Sequence, residues 1–485
     1  MLRSALRGRS GRRAPKVYQP ARYHAGVTAL RSLPRPRIRG PKRGRLLAAL
    51  AGAVLLASCR PAPRPDVVFV LVDTLRADHL GCYGYPKPTS PHLDDLATDS
   101  VLFENAISSA TWTKPAIASL FTALYPSEHG IVRQLDDSDP DLVDQVLPAS
   151  LPTLAERFRA GGYATVAVVH QPNISHATGF DRGFEDFDHL RKVDDFQLVQ
   201  TLLAKLDLLP AGKPVFAYLH LLDAHWPYTE RLPDLPLDAF GPIDPKDRVH
   251  AERAAVRYSR RHRWRHLDLP TVEAWYDHGV AWDDRAVGEL VAGLERRRRW
   301  AGTLFVVASD HGEGFLEHRR LEHGFEPYRE LTHIPLLMHL PAGSGIPSGR
   351  RRSIVSLTEV GPTLLELAGL PRWEGVTGKS FADLVRGDEN DARSALIEME
   401  RASAVRTLAA KLIYRRSGRL EYYDLATDPN ELHNLTHKTC EGPCRQAFNL
   451  LRKIESGLQP PRKAEGSAVR LDPEDLEELK SLGYL

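Results

Sequence analysis

Cysteine is scarce in this chain, four among 485 residues, too few for a fold held together by disulfides. Two of the four, Cys440 and Cys444 in "TCEGPC", are close enough to bridge across a Gly-Pro turn. Thiols at that spacing supply only half of a tetrahedral zinc set, so a local disulfide formed outside the reducing cytoplasm is the better reading. Cys82, in "HLGCYGY", reads as a small buried residue. Long apolar runs are also missing. The stretch Leu46–Ala57 falls well short of the ~20 residues that a membrane-crossing helix needs. There is no internal repeat, so a solenoid is not expected. Acids are absent from residues 1–45, which hold 14 Lys or Arg; the rest of the chain therefore carries 51 basic against 62 acidic residues, a balance of −11 behind an overall +3. An acidic body leaves no electrostatic footprint for nucleic acid, and a nuclease ranks last among the candidate functions.

The basic leader ends in Arg43 and Arg45, the apolar run, and then Leu56-Ala57-Ser58-Cys59 followed by "RPAPRP". A charged flank, a short apolar stretch and small residues are features of a secretory signal. The closing tetrapeptide resembles a bacterial lipobox, in which the Cys is lipidated and becomes the mature N-terminus. A short buried helix is the plain alternative. The leader is too long and too rich in arginine for an ordinary signal, and initiation at Val27 or Leu30 would account for the excess. The expected location is the bacterial cell envelope, outside the cytoplasm, with the membrane as a partner through lipid on Cys59. Residues 1–65 thus read as leader, signal and proline-rich tether.

From Asp66 the chain alternates strands and helices. "DVVFVLVD", "ATVAVVH", "PVFAYLHLLDAH" and "AGTLFVVASDHGE" are apolar runs ending in polar residues, the form of parallel strands buried on both faces. "SPHLDDLATDS" (Ser90 at its cap), "AIASLFTALY", "LPTLAERFRAGGY" and "AWYDHGVAWDDRAVGELVAGLERRRRW" read as helices between them. The pattern predicts a layered α/β sheet. Ligands of such sheets gather at the carboxyl ends of the strands, and those ends carry Asp73, His225 and Asp310-His311. Carboxylates and imidazole together suit Zn, Mn or Mg better than an all-oxygen Ca cage. The bland alternative makes Asp73 an N-cap for the turn after it. Residues 229–270, charged and proline-rich, look like an insertion near the site mouth. After about residue 395 the texture changes to short antiparallel strands and helices. The catalytic domain is therefore placed at 66–390 and a smaller α+β subdomain at 391–485.

The stretches "DVVFVLVDTLRADHLGCYGYPKPTSPHLDDLA", "LYPSEHG", "DAHWPY", "SDHGE", "HIPLLMHLP", "YYDLATDPNELHNL" and "LKSLGYL", in that order, resemble the sulfatase family of the alkaline-phosphatase superfamily. The resemblance implies an α/β fold, a large mixed sheet sandwiched by helices, with a metal-assisted nucleophile that attacks sulfur or phosphorus. Sulfatases carry Cys-x-Pro-x-Arg where this chain has Thr113-Lys114-Pro115-Ala116-Ile117. With neither Cys nor Ser to convert, no formylglycine is expected. The set Asp73, Thr113, Asp310 and His311 resembles instead the metal site of lipoteichoic acid synthases and phosphoethanolamine transferases, which use a Thr nucleophile. A single divalent ion, Mn, Zn or Mg in preference to Ca, is the implied cofactor. Thr74 stands where many sulfatases have a second Asp. His225 matches a family His that contacts the ester oxygen, and His323 one that faces the sulfo or phosphoryl oxygens, with His318 the weaker alternative. An imidazolium there could protonate the leaving group. Gln134 aligns with a substrate-facing amide, and Lys114 and Arg76 read as structural.

The sequence therefore predicts a metal-dependent hydrolase or transferase of sulfate or phosphate esters, on a glycan or lipid, with Thr113 as nucleophile. Two alternatives stand beside it: Thr113 as a mere helix cap, and a non-catalytic sulfatase-fold binding module. The leader carries its own test. Mass spectrometry of the mature protein is expected to find lipidated Cys59 at the N-terminus, and an intact segment 1–60 would contradict it.

Overall fold

In the first strand, β1 (Asp66–Val72), every residue after Asp66 is buried. Alternate side chains point to opposite faces, so Val67, Phe69 and Leu71 enter one apolar layer while Val68, Val70 and Val72 enter another. That single run explains why the chain needs helices on both sides of its sheet. The computed structural model describes residues 64–133, 143–228, 237–241, 269–436, 440–461 and 468–482. Cys59, Gln134 and most of the 229–270 stretch lie outside the described residues.

In chain order there follow β2 (Ser100–Ile107), β3 (Val143–Gln145), β4 (Ala164–Val169), β5 (Asp186–His189), β6 (Val215–Leu221) and β7 (Thr303–Ala308). Next come the short pair β8 (Gly314–Phe315) and β9 (Leu321–Glu322), then β10 (His333–Ile334), β11 (Leu336–His339) and β12 (Gly349–Ser356). The main sheet has nine strands in the order β10-β2-β11-β7-β1-β6-β4-β5, with β12 also paired to β2. Strand β1 is parallel to β6 and β7, and β6 to β4, so all four deliver their carboxyl ends to one side. Strand β11 is antiparallel to both β7 and β2, which makes the sheet mixed. Helices Thr113–Thr122, Leu154–Ala160 and Leu357–Leu367 fill the first apolar layer, and helices Pro91–Thr98, Asp195–Leu208 and Leu269–Arg296 the second. No helix among the described residues is long and apolar enough to cross a membrane.

The local signals set most boundaries, with instructive departures. Thr153 and Glu156 form a capping box that starts the 154–160 helix, and Gly162 at φ 87° ends it. The long helix begins at Leu269 and stops at Arg296, short of the basic run's end, because Arg298 turns to φ 56°. Ser90 occupies the N-cap position, but its hydroxyl accepts from Gly81 N–H at 2.8 Å instead of capping the helix. Cys82 is half-buried, short of the full burial expected for it.

Strands β13 (Ser394–Glu398), β14 (Ala402–Thr407), β15 (Ala410–Arg415) and β16 (Leu420–Asp424) form a separate antiparallel sheet in that order. One face, with Ile397, Ala404 and Ile413, packs on Ile107 and Ile354 of the main sheet. The other, with Leu396, Val405 and Leu412, packs on Leu451 of the helix Pro443–Ser456. The expected disulfide joins Cys440 to Cys444 where that helix begins. The architecture is thus the sandwiched mixed sheet with a small C-terminal antiparallel-sheet subdomain that the sequence predicts. Strand β17 (Ala468–Arg470) then returns to pair with β3.

Gly279 of the long helix lies against the loop after β6, where an added Cβ would sit 2.3 Å from the Asp223 carbonyl oxygen. Both contacting groups are backbone, so neither yields cheaply. Gly279→Ala is expected to destabilise the fold by about 1–3 kcal/mol, read from the denaturant midpoint. A midpoint equal to wild type would show that the helix and loop slide apart freely.

Candidate active site

The parallel strands end on chemistry. Asp73 follows β1, Asp310 and His311 follow β7, and His225 lies in the loop after β6. Strand β2 leads through Ser108–Trp112 into the helix Thr113–Thr122. Trp112, and not Thr113, occupies the N-cap position of that helix, so the simple capping reading of Thr113 fails. Asp73 likewise caps nothing, since the N-cap of the short turn Ala77–His79 is Arg76.

Asp73, Thr113, Asp310 and His311 are fully buried and converge. Thr113 Oγ1 lies 3.2 Å from His311 Nε2 and 3.5 Å from Asp73 Oδ2. His311 Nε2 is in turn 3.3 Å from Asp310 Oδ2 and 3.7 Å from Asp73 Oδ1. Backbone N–H groups of Thr74 and His311 donate to Asp310 Oδ1, at 3.3 and 2.9 Å. The other Asp310 oxygen, Oδ2, and Asp73 Oδ1 are buried with no hydrogen-bond partner among the described residues. Orphaned carboxylate oxygens around one imidazole fit a divalent ion. Burial works against charge on Asp73, but the His220 hydrogen bond and the imidazoles of His225 and His311 hold its carboxyl well below the usual range. Burial and the charge of Asp73 push Asp310 up to about 7. Two carboxylates that cannot ionise together cheaply are the electrostatic signature of a cation site.

His225 and His323 sit beside this cluster, their ring centroids 5.0 Å apart, and His323 lies 4.5 Å from the His311 ring. Burial lowers both imidazoles, His323 to about 4. The imidazolium expected at His323 is therefore disfavoured before substrate arrives. His318 is not at the site. It stacks on Tyr328 at 3.6 Å and bonds Glu330 and the Glu431 carbonyl, both at 2.8 Å. Lys114 is paired with Asp144, and Arg76 with Asp78 and Glu317, structural roles as anticipated. Ile117 belongs to the apolar core.

Sequence reasoning missed several neighbours. His220 Nε2 lies 3.2 Å from Asp73 Oδ2 and its Nδ1 lies 3.0 Å from Tyr218 OH; together with Asp73 and Asp310 it forms a group able to hold a metal. An imidazole inside the otherwise apolar run "VFAYLHLL" was the available signal. Gln171, after β4, donates to Asp73 Oδ2 at 2.6 Å. Glu313 accepts from Tyr228 OH at 3.1 Å and faces His323 Nδ1 at 3.1 Å, which fixes the orientation of that ring. Thr74 adopts φ 57°, a costly region for a β-branched residue, and is held there by bonds to the Ala224 carbonyl (3.1 Å) and from Tyr276 OH (2.8 Å).

The chain is similar to known proteins along most of its length. A family model described as "Sulfatase" matches residues 65–370, and one described as "N-sulphoglucosamine sulphohydrolase, C-terminal" matches residues 317–453. The chain is 24% identical over 429 residues to a delta 4,5-hexuronate-2-O-sulfatase of Bacteroides thetaiotaomicron, covering 80% of this chain and 87% of that protein. It is 22% identical over 417 residues to an ulvan-active sulfatase of Formosa agariphila, covering 77% and 78%. Among solved structures, the phosphonate monoester hydrolase of Agrobacterium radiobacter superposes with a TM-score of 0.67 at 21% identity, over 84% of this chain and all of that one.

The metal reading is testable by elemental analysis. Asp310→Ala is expected to lower the divalent metal bound by the purified protein from one equivalent to near none. Unchanged metal content would overturn the ligand set.

Proposed function

The chain belongs to the sulfatase family, and on that premise we propose that it hydrolyses or transfers sulfate or phosphate esters through Thr113. The observation that carries the reading is the position of Thr113 Oγ1, within 3.2 Å of His311 Nε2 and 3.5 Å of Asp73 Oδ2 at the head of a buried helix. Asp73, Asp310 and His311, with Thr113 completing the set, would hold a divalent ion. What such an ion supplies is Lewis acidity, which lowers the pKa of a neighbouring hydroxyl and polarises the ester oxygens. The chain's own groups do the rest. The helix N-terminus at Thr113 favours negative charge on its side chain through unpaired N–H groups and the dipole.

In the first half-reaction Thr113 Oγ1 forms the bond to sulfur or phosphorus as the ester bond breaks, its hydroxyl proton passing to Asp73 Oδ2, the carboxylate toward which it points. The electron pair leaves on the departing alcohol oxygen, which takes a proton from His225 or His323. Glu313 holds the His323 ring for that transfer, and an arriving anionic ester raises the proton affinity of both imidazoles. In the second half, water or an acceptor alcohol gives its proton back to the same imidazole as it attacks the centre, and the bond to Thr113 Oγ1 breaks with that oxygen regaining the proton held by Asp73. The Thr favours phosphoryl or phosphodiester chemistry, while the family and the names of the relatives favour sulfate on a glycan. A binding module offers no reason to keep two buried carboxylates without a compensating cation, since such groups cost stability. The Cys440–Cys444 disulfide supports a location outside the cytoplasm, tethered by lipid at Cys59.

Purified protein is to be assayed on matched aryl sulfate, phosphate monoester and phosphodiester substrates across a metal panel. Thr113→Ala is expected to lower turnover by roughly 10³-fold or more with an unchanged melting temperature. Thr113→Ser is expected to retain measurable activity, and the wild type to form a covalent phospho- or sulfo-threonine. Wild-type rates in Thr113→Ala would show that another group attacks.

A further inference from the structure

A cavity of about 500 Å³ opens directly beside the nucleophile helix. Trp112, which immediately precedes Thr113, lines it, as does Gly324, which follows His323 and whose N–H bonds the Thr111 carbonyl at 2.8 Å. The opposite wall comes from the C-terminal sheet, at the ends of the β14–β15 hairpin. Arg415 fastens the two walls together, pairing with Glu326 on one side and Glu421 on the other, the latter at 2.8 Å. That clasp neutralises Glu326 within the cavity. Three other lining guanidiniums, Arg320, Arg401 and Arg416, make no ion pair among the described residues, and Glu400 is the one remaining lining carboxylate outside the clasp. Arg320 stands over the Phe325 ring at 5.3 Å, and Phe325 is 39% exposed, so its apolar surface stays open to a ligand.

We propose that this cavity binds a second anionic group on the substrate, on a sugar unit next to the one that carries the scissile ester. The inference rests on the reading of Thr113 as the ester-cleaving residue. It extends that reading by assigning specificity to Arg320, Arg401 and Arg416, with the exposed ring of Phe325 as the surface for a sugar ring. Guanidinium forks match carboxylate and sulfate oxygens in pairs, and such charge-assisted bonds keep their value in a partly enclosed site. The apolar faces of sugar rings pack on aromatic side chains, which a small inorganic anion would not need. The volume lies in the range of small-molecule sites and exceeds the need of a single ester group. The ligand class is therefore a multiply anionic oligosaccharide.

The test uses the full-length protein and calorimetric binding of three tetrasaccharides: sulfated and uronate-containing, the same chain desulfated, and a neutral glucan. The wild type is expected to bind the sulfated chain at least tenfold more tightly than the glucan, with an affinity that falls as salt rises. Arg401→Ala/Arg416→Ala is expected to weaken that binding by about tenfold or more for each guanidinium removed, and Arg→Lys at both positions to restore part of it. Both arginines are exposed, and melting temperature checks that the variants fold; Arg320→Ala serves as the independent second variant. Binding of both anionic chains assigns the forks to carboxylate, and binding of the sulfated chain alone assigns them to sulfate; either supports the proposal. Equal binding of the anionic and neutral chains, or affinity unchanged in the arginine variants, overturns it. Arginine-dependent binding without turnover of any ester would keep this cavity's role and remove the catalytic reading instead.

Discussion

Two carboxylates, Asp73 and Asp310, are buried at the ends of neighbouring parallel strands, and the surroundings are arranged around their charge. Removing one ionised carboxylate from water costs several kcal/mol after relaxation, so such a pair persists only where the fold supplies compensation. Gln171 and His220 serve Asp73, while two backbone N–H groups serve Asp310. One oxygen of each is left for a cation. The sheet makes the arrangement rigid, because β1 and β7 are hydrogen-bonded in register from Asp66–Thr303 to Leu71–Ala308. Thr74 is forced into a left-handed backbone immediately after Asp73, and the strain is borne by the hydrogen bonds around it.

The C-terminal sheet is tied to the same region by hydrogen bonds and a buried ion pair. Glu398 at the end of β13 bonds through its backbone N–H to the Ser109 carbonyl at 2.8 Å, and its carboxylate accepts from Ser127 N–H at 3.0 Å. Lys411 on β15 makes a buried pair with Glu431 at 2.8 Å and reaches Thr332 next to β10. Segments hundreds of residues apart in sequence therefore meet on both sides of the loop that leads to Thr113. The Asp144 partner of Lys114 lies on β3, with which the returning strand β17 pairs, so β17 also bears on the helix Thr113–Thr122.

Much of this was legible in the residue string. A run such as "DVVFVLVD" cannot be buried on both faces without helices above and below, and a polar residue closing each run marks the ligand-binding edge. The placement of Asp73, Asp310 and His311 followed from that logic. His220, Gln171 and Glu313 escaped it for a physical reason. Their roles depend on register between strands distant in sequence: His220 stands opposite Leu71 and Val169, a pairing that no local pattern encodes. Glu313 was hidden inside a recognised motif, and its partners Tyr228 and His323 come from separate loops. The helix read from Ala116 begins three residues earlier, at Thr113, because Pro115 is tolerated in a first turn.

All ten residues of the helix Thr113–Thr122 are buried, yet the apolar contacts that fix it come from residues such as Ala116, Ile117, Leu120 and Phe121. Thr113 at its head is thus mechanically supported by its neighbours while adding little to that support itself. A scaffold built this way separates folding from reactivity. The side chain at position 113 can therefore be exchanged without the surrounding architecture having to be rebuilt.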